Sequence, residues 1–275
     1  MGIFYLKIIV WYNFDFYFYF YFIIGVSLDM EIILVLVGMV VGTLSGFFGI
    51  GGGMILVPIL MLLGIDIKTA IGISIVQMVF SSIYGSYLNH KKGSLVLGEG
   101  VWVGVGGFVG GAFGAYFSNM VPEKILQYLF LGLLIFALYR LFSAKLSESN
   151  EVKTLSPIIL FVVGSIIGVF AISLGVGGSI LLTPILAGFL HYPIKKAVSA
   201  GLFFVAFSSV AGLFIKLSTG SIDLEKGIYV AVASLFGVYM GIWLKEHVSS
   251  SQHKLYLLIM YSVALLILVK KMFIG

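Results

Sequence analysis

Ten apolar segments, parted by short polar or glycine-containing joints, order this chain. They fall near residues 31–48, 53–64, 69–89, 98–118 and 122–142, and again near 157–173, 178–190, 194–216, 226–245 and 254–272. The long polar stretch "SAKLSESNEVKTLS", residues 143–156, separates the two groups. Most segments hold 17 to 24 residues. At about 1.5 Å per residue, such a helix crosses a hydrocarbon core of about 30 Å. The second segment of each group has only about a dozen residues, too few to cross unaided, and reads as a half-helix. The pattern predicts an all-α polytopic membrane protein. It has a first transmembrane repeat at 31–142, a linker at 143–156 and a second repeat at 157–272.

Each half-helix follows a glycine cluster. The first is "GFFGIGGGMILVPIL", residues 46–60, and the second "ISLGVGGSILLTPIL", residues 172–186. At an offset of 126, Gly42, Gly49, Gly51, Gly52, Leu56 and Pro58 match Gly168, Gly175, Gly177, Gly178, Leu182 and Pro184. One inserted residue moves the offset to 127, where Phe80-Ser81-Ser82 matches Phe207-Ser208-Ser209 and Ser94 matches Ser221. A register shared over this length implies a duplicated unit.

Two topologies are compatible with the duplication. If each cluster turns the chain back, each half crosses an odd number of times and the repeats are inverted; a simple break makes them parallel. From Lys68 onward, lysine and arginine divide nine against six between the faces under either scheme, so charge does not choose. Length favours inversion with a hairpin or re-entrant turn. Residues 31–64 would form about 50 Å of helix, too much for one crossing.

Glycine weakens a helix by about 1 kcal/mol relative to alanine, and lipid satisfies no freed backbone group. Irregular backbone therefore belongs inside the bundle. The amide groups at the start of a restarted helix carry the positive end of its dipole and attract anions. Gly49, Gly51, Gly52, Gly53 and Met54, with Gly175, Gly177, Gly178 and Ser179, are accordingly the candidate substrate-binding backbone. Close helix packing is the competing explanation, and it is preferred for Gly106, Gly110 and Gly114. Ser81, Ser82, Ser208 and Ser209, with Gln77, are neutral donors able to complete an oxyanion shell, although serine also packs well between membrane helices. Ser74 and Ser199 share those segments. Gln77 aligns with Phe204, which predicts an asymmetric site. Pro58 and Pro184 are expected to shape the half-helices.

Composition narrows the function. The chain is 61% hydrophobic and 10% charged, with mean hydropathy +1.18 and a net charge of +5. The lysines are read as anchors of loop ends at the lipid headgroups. With no basic tract, no nucleic-acid partner is expected; the partners are a small anion and the lipid bilayer, and a homodimer is a possible assembly. There is no cysteine, and nothing calls for a metal or cofactor. Aspartates and glutamates stand near segment ends. His90, His191, His247 and His253 do so too and are expected to be solvated. No H-E-x-x-H motif, mid-span aspartate pair or serine–histidine pairing within one membrane depth supports an enzyme. "GIGGG" lacks the spacing of a dinucleotide fingerprint. Residues 1–29, with "FDFYFYFYF" at 14–22, form an aromatic extension that carries no functional expectation. Transport fits best, with an anion-selective channel having a glycine-lined pore as the alternative.

With "GTLSGFFGIGGGMILVPIL" and its echo "GVFAISLGVGGSILLTPIL", the chain resembles the TauE/SafE family of membrane transporters over about residues 31–272. The second motif departs from the first, with Ser179 in place of Gly53 and Ala171-Ile172 in place of Ser45-Gly46. The resemblance implies efflux of small sulfur-containing anions such as sulfite or sulfoacetate across the inner membrane of a prokaryote.

Overall fold

The computed structural model describes residues 29–95, 100–143, 156–189 and 194–273. Residues 1–28 of the aromatic extension, residues 144–155 of the linker and His191 lie outside the described residues. Every predicted segment is a helix, and no strand occurs among the described residues. In the first half α1 (Met30–Phe48), α2 (Gly53–Leu62), α3 (Ile67–Lys91), α4 (Gly100–Met120) and α5 (Glu123–Ser143) follow one another. In the second come α6 (Pro157–Ser173), α7 (Ser179–Phe189), α8 (Ile194–Ser218), α9 (Leu224–His247) and α10 (Ser250–Phe273). Seven of these, all but α2, α6 and α7, are long and apolar enough to cross a membrane.

Local chemistry sets the helix ends. The Asp66 carboxylate caps α3 by accepting from the Thr69 N–H at 2.9 Å, and Asp223 caps α9 by accepting from the Lys226 N–H at 3.0 Å. Partial burial would raise the Asp66 carboxyl, but the hydrogen bonds centred on Thr69 outweigh it and hold the group below its ordinary value. Asp223 behaves alike, its burial offset by Lys226. Pro157 opens α6, where its missing N–H costs nothing.

Glycine then sets the packing. Gly38, Gly42 and Gly46 of α1 lie against the backbone of Val230, Ser234 and Val238 in α9, so the two helices run side by side in the same direction. Gly106, Gly110 and Gly114 of α4 lie in the same way against Phe161, Ser165 and Val169 of α6. A methyl on Gly42 would stand 2.2 Å from the Ser234 carbonyl oxygen, and on Gly110 1.9 Å from that of Ser165. These glycines allow backbone contact, as the fourfold spacing in α4 predicted.

The central pair, α3 and α8, runs antiparallel. Near the end of α3, Asn89 shares Lys245 with Ser199 at the start of α8. Near the start of α3, Lys68 reaches the Asn119 carbonyl, while the Asn119 side chain bonds Lys216 and Thr219 at the end of α8. The more extensive of the other contacts include matching pairs: α1 on α9 and α4 on α6, α3 on α9 and α8 on α4, α2 on α3 and α7 on α8. Exchanging the first five helices for the second five maps each member of a pair onto the other. The most apolar window of α3 is 72% buried and those of α5 and α10 only 28%, so α3 lies at the centre and α5 and α10 at the periphery.

Candidate functional site

α1 ends where Gly49 takes φ 72°, its N–H bonded to the Ser45 carbonyl at 2.8 Å. Gly51 and Gly52 follow at φ 76° and 92°, left-handed conformations that side chains resist. These angles turn the chain back on itself, because Gly52 lies against Val41 of α1 as well as Gln77 of α3. α2 then restarts, with Ile55 and Leu56 N–H groups donating to the Gly52 carbonyl. In the second half Gly175 and Gly177 take φ 63° and 71°, and α7 restarts with Leu181 and Leu182 donating to the Gly178 carbonyl.

The two breaks meet. A methyl added to Gly53 would stand 1.9 Å from the Gly175 carbonyl oxygen, and one added to Gly177 would stand 2.3 Å from that of Ile50. Ser74 of α3 donates to the Gly175 carbonyl at 2.7 Å and so ties the first half to the second break. Met78 packs between Gly51 and Gly177. All residues from 45 to 58 and from 171 to 180 are buried, including Met54, so the junction is sealed. Clusters 126 positions apart in sequence form one place in the fold.

Polar side chains gather there unequally. Ser81 donates to the Gly51 carbonyl at 3.3 Å and accepts from Ser45 at 3.5 Å. Gln77 is fully buried beside Gly52, and neither its amide oxygen nor its nitrogen has a hydrogen-bond partner. The Ser179 and Thr183 hydroxyls, both next to Gly201 of α8, also lack partners. Ser82, Ser208 and Ser209 donate to carbonyls of their own helices at Met78, Phe204 and Ala206 respectively. The Phe204 ring fills the space beside Gly178 and Gly107, where a methyl would stand 2.1 and 2.4 Å from it. One side of the junction therefore offers an unmatched amide and the other an aromatic wall. Pro58 is buried inside α2, while Pro184 lies in α7 with its side chain outside the described set.

A buried amide without partners costs about 1–3 kcal/mol. Such a group at a junction of helix N-termini is suited to a small polar ligand, which neutral donors and amide dipoles would hold if it were an anion.

Two expectations need correction. Lys216 and Lys245 are not loop-end anchors at lipid headgroups: they are 0% and 2% exposed and bond to Asn119 and Asn89 between helices. His253 is not solvated; it is fully buried, stacked on Phe47 at 4.9 Å with Phe48 edge-on at 5.5 Å. Each sits within a turn or two of a helix end. Nothing in the linear pattern distinguishes such a position facing the bundle from one facing the headgroups.

Comparison with known proteins is consistent with this geometry. The model of the sulfite exporter TauE/SafE family matches residues 34–268. A probable membrane transporter protein of Bacillus subtilis (strain 168), YdhB, is 30% identical over 75% of this chain and 86% of its own length. A probable membrane transporter protein of Methanocaldococcus jannaschii is 28% identical over 78% of this chain and 86% of its own. No solved structure matches at a significant level.

Proposed function

The chain belongs to the TauE/SafE sulfite exporter family of membrane transporters, and on that premise we propose that it moves a small anion of the sulfite or organosulfonate class by alternating access. The carrying observation is the sealed contact of two glycine breaks with the unpartnered Gln77 amide beside it. A ligand there meets amide groups of Gly51 to Met54 and of Gly177 to Ile180, with Gln77, Ser81 and Ser179 as neutral donors. Ser82, Ser208 and Ser209 shape the walls through their own helices.

The antiparallel run of α3 and α8 and the paired helix contacts support inverted repeats, in which one half rocks against the other around the junction. The burial of both breaks supports an occluded transporter over an open pore. The membrane is the inner membrane of a prokaryote.

Uptake by proteoliposomes, compared among sulfite, sulfoacetate, sulfate, chloride and acetate, tests the reading. Saturable movement of a sulfur oxyanion that Gln77→Leu diminishes is the expected result. Unselective, non-saturating current would make the protein a channel, and no movement of any of the five would remove the substrate class.

A further inference from the structure

At the end of the bundle where α3 begins and α8 ends, an open cavity of about 530 Å³ is lined by Lys68, Thr69, Ser221, Asp223 and Glu225 among others. Lys68 donates from its wall to the Asn119 carbonyl at 3.1 Å. The Lys216 ammonium lies behind that wall and is linked to it through Asn119. It is fully buried and donates to Asn119 Oδ1, which also accepts from the Ser221 hydroxyl at 3.1 Å. Asn119 Nδ2 donates to Thr219 Oγ1 at 3.0 Å, which sets the orientation of the amide. Two ammonium groups thus converge on one asparagine.

Among the described residues neither ammonium forms an ion pair. Of the carboxylates on the cavity wall, Asp223 is engaged by Lys226, and Glu225 is exposed. Burying a lone ammonium costs several kcal/mol, and a second cation nearby adds repulsion; an apolar residue would hold the helices together better. Each ammonium carries three N–H donors, of which one is used here.

Its position relative to the glycine junction is direct. Lys68 precedes Ser74, which touches Gly175, by six residues of α3, about 9 Å along the helix. Gly72, between them, packs against the Ser221–Ile222 backbone of the cavity wall.

A counterpart stands at the opposite end of α3. Lys245 donates to Asn89 Oδ1 at 2.7 Å and to Ser199 at 3.1 Å, and Ser94 donates to Asn89 Oδ1 at 3.1 Å. In the register of the two halves Asn89 corresponds to Lys216 and Ser94 to Ser221, while Asn119 corresponds to Glu246, the neighbour of Lys245. The aligned positions differ, yet each end holds one buried lysine, one asparagine and one serine. Asn89 lies eight residues beyond Ser81, about 12 Å along α3.

We propose that Lys68 and Ser221, backed by Asn119 and the buried Lys216, form a docking site for a small oxyanion at this end of the bundle. The site rests on the proposed transport of anions through the glycine junction. It adds a station outside the junction where the anion is first held, with its charge matched by lysine before it passes to the neutral donors within.

The test measures binding of radiolabelled sulfite to purified protein in nanodiscs, beside initial uptake rates in proteoliposomes. The variants are Lys216→Gln, Lys68→Gln and, at the junction, Gln77→Leu. The expected result is a half-saturating sulfite concentration raised about tenfold or more by each lysine change, with the maximal rate lowered less. Gln77→Leu should keep binding at the mouth and lose rate. Lys68 is only half-buried, so its variant keeps the test decisive if Lys216→Gln fails to fold. Unchanged half-saturation in the folded lysine variants overturns the docking site, as does absence of sulfite binding by the wild type. Absence of wild-type uptake across the five-anion panel would instead remove the proposed substrate class.

Discussion

Gly53 and Gly175, 122 positions apart, face one another so closely that a methyl on Gly53 would stand 1.9 Å from the Gly175 oxygen and 2.4 Å from Ser74 Oγ. Their contact joins the halves at the depth where both helices are interrupted. The break in each half is therefore held open by the break in the other.

Gly53→Ala should damage the protein far more than its size suggests. Backbone and a bonded serine block the new methyl, so the junction must part, at a cost of about 1–3 kcal/mol or more. Gly64→Ala is the control: with φ 85° and nothing within 4 Å, it meets only backbone strain of about 1 kcal/mol. Thermal unfolding in detergent should place Gly53→Ala well below Gly64→Ala. Equal midpoints would contradict the close contact.

Gln77→Leu should separate stability from function. Removing a fully buried, unpartnered amide relieves about 1–3 kcal/mol of desolvation cost, so the melting temperature should rise or hold. Transport should fall. A variant that melts lower and transports normally would place Gln77 among packing residues.

Gly110→Leu should separate α4 from α6. A side chain there meets the Ser165 carbonyl oxygen at 1.9 Å, and no rotamer avoids an overlap made by the β-carbon itself. Low yield of folded protein, read by size-exclusion after detergent extraction, is expected. Gly132→Leu on α5, where nothing lies within 4 Å, should leave yield unchanged.

Acid should weaken the caps of α3 and α9. Both Asp66 and Asp223 are held below the ordinary value of 3.8 in the folded chain. A depressed carboxyl contributes stability that is present above its unfolded value and lost as pH falls through the folded one. Melting temperature should thus drop below about pH 4, and doubly substituted Asp66→Asn, Asp223→Asn protein should show a smaller drop. An identical acid profile in the two proteins would assign the loss to other groups.

Hydrophobic periodicity alone determined the ten helices, the two short ones and the membrane setting, because segment length against bilayer thickness is a property of the linear chain. It also marked the glycine clusters, since consecutive glycines in an apolar run have few other uses. What it left open depends on which way each residue faces. Lys216, Lys245 and His253 stand near helix ends, where lipid headgroups and protein interior are equally near in sequence; the tertiary structure turned all three inward. Among the serines, Ser81 reaches the Gly51 carbonyl of the first break while Ser82, Ser208 and Ser209 bond their own helices. Gln77 and Phe204 occupy matching positions, but only packing made one an unmatched amide and the other a filled wall. Direction around a helix is decided by its neighbours, and those neighbours are distant in the chain, for Lys216, Lys245 and His253 in its other half.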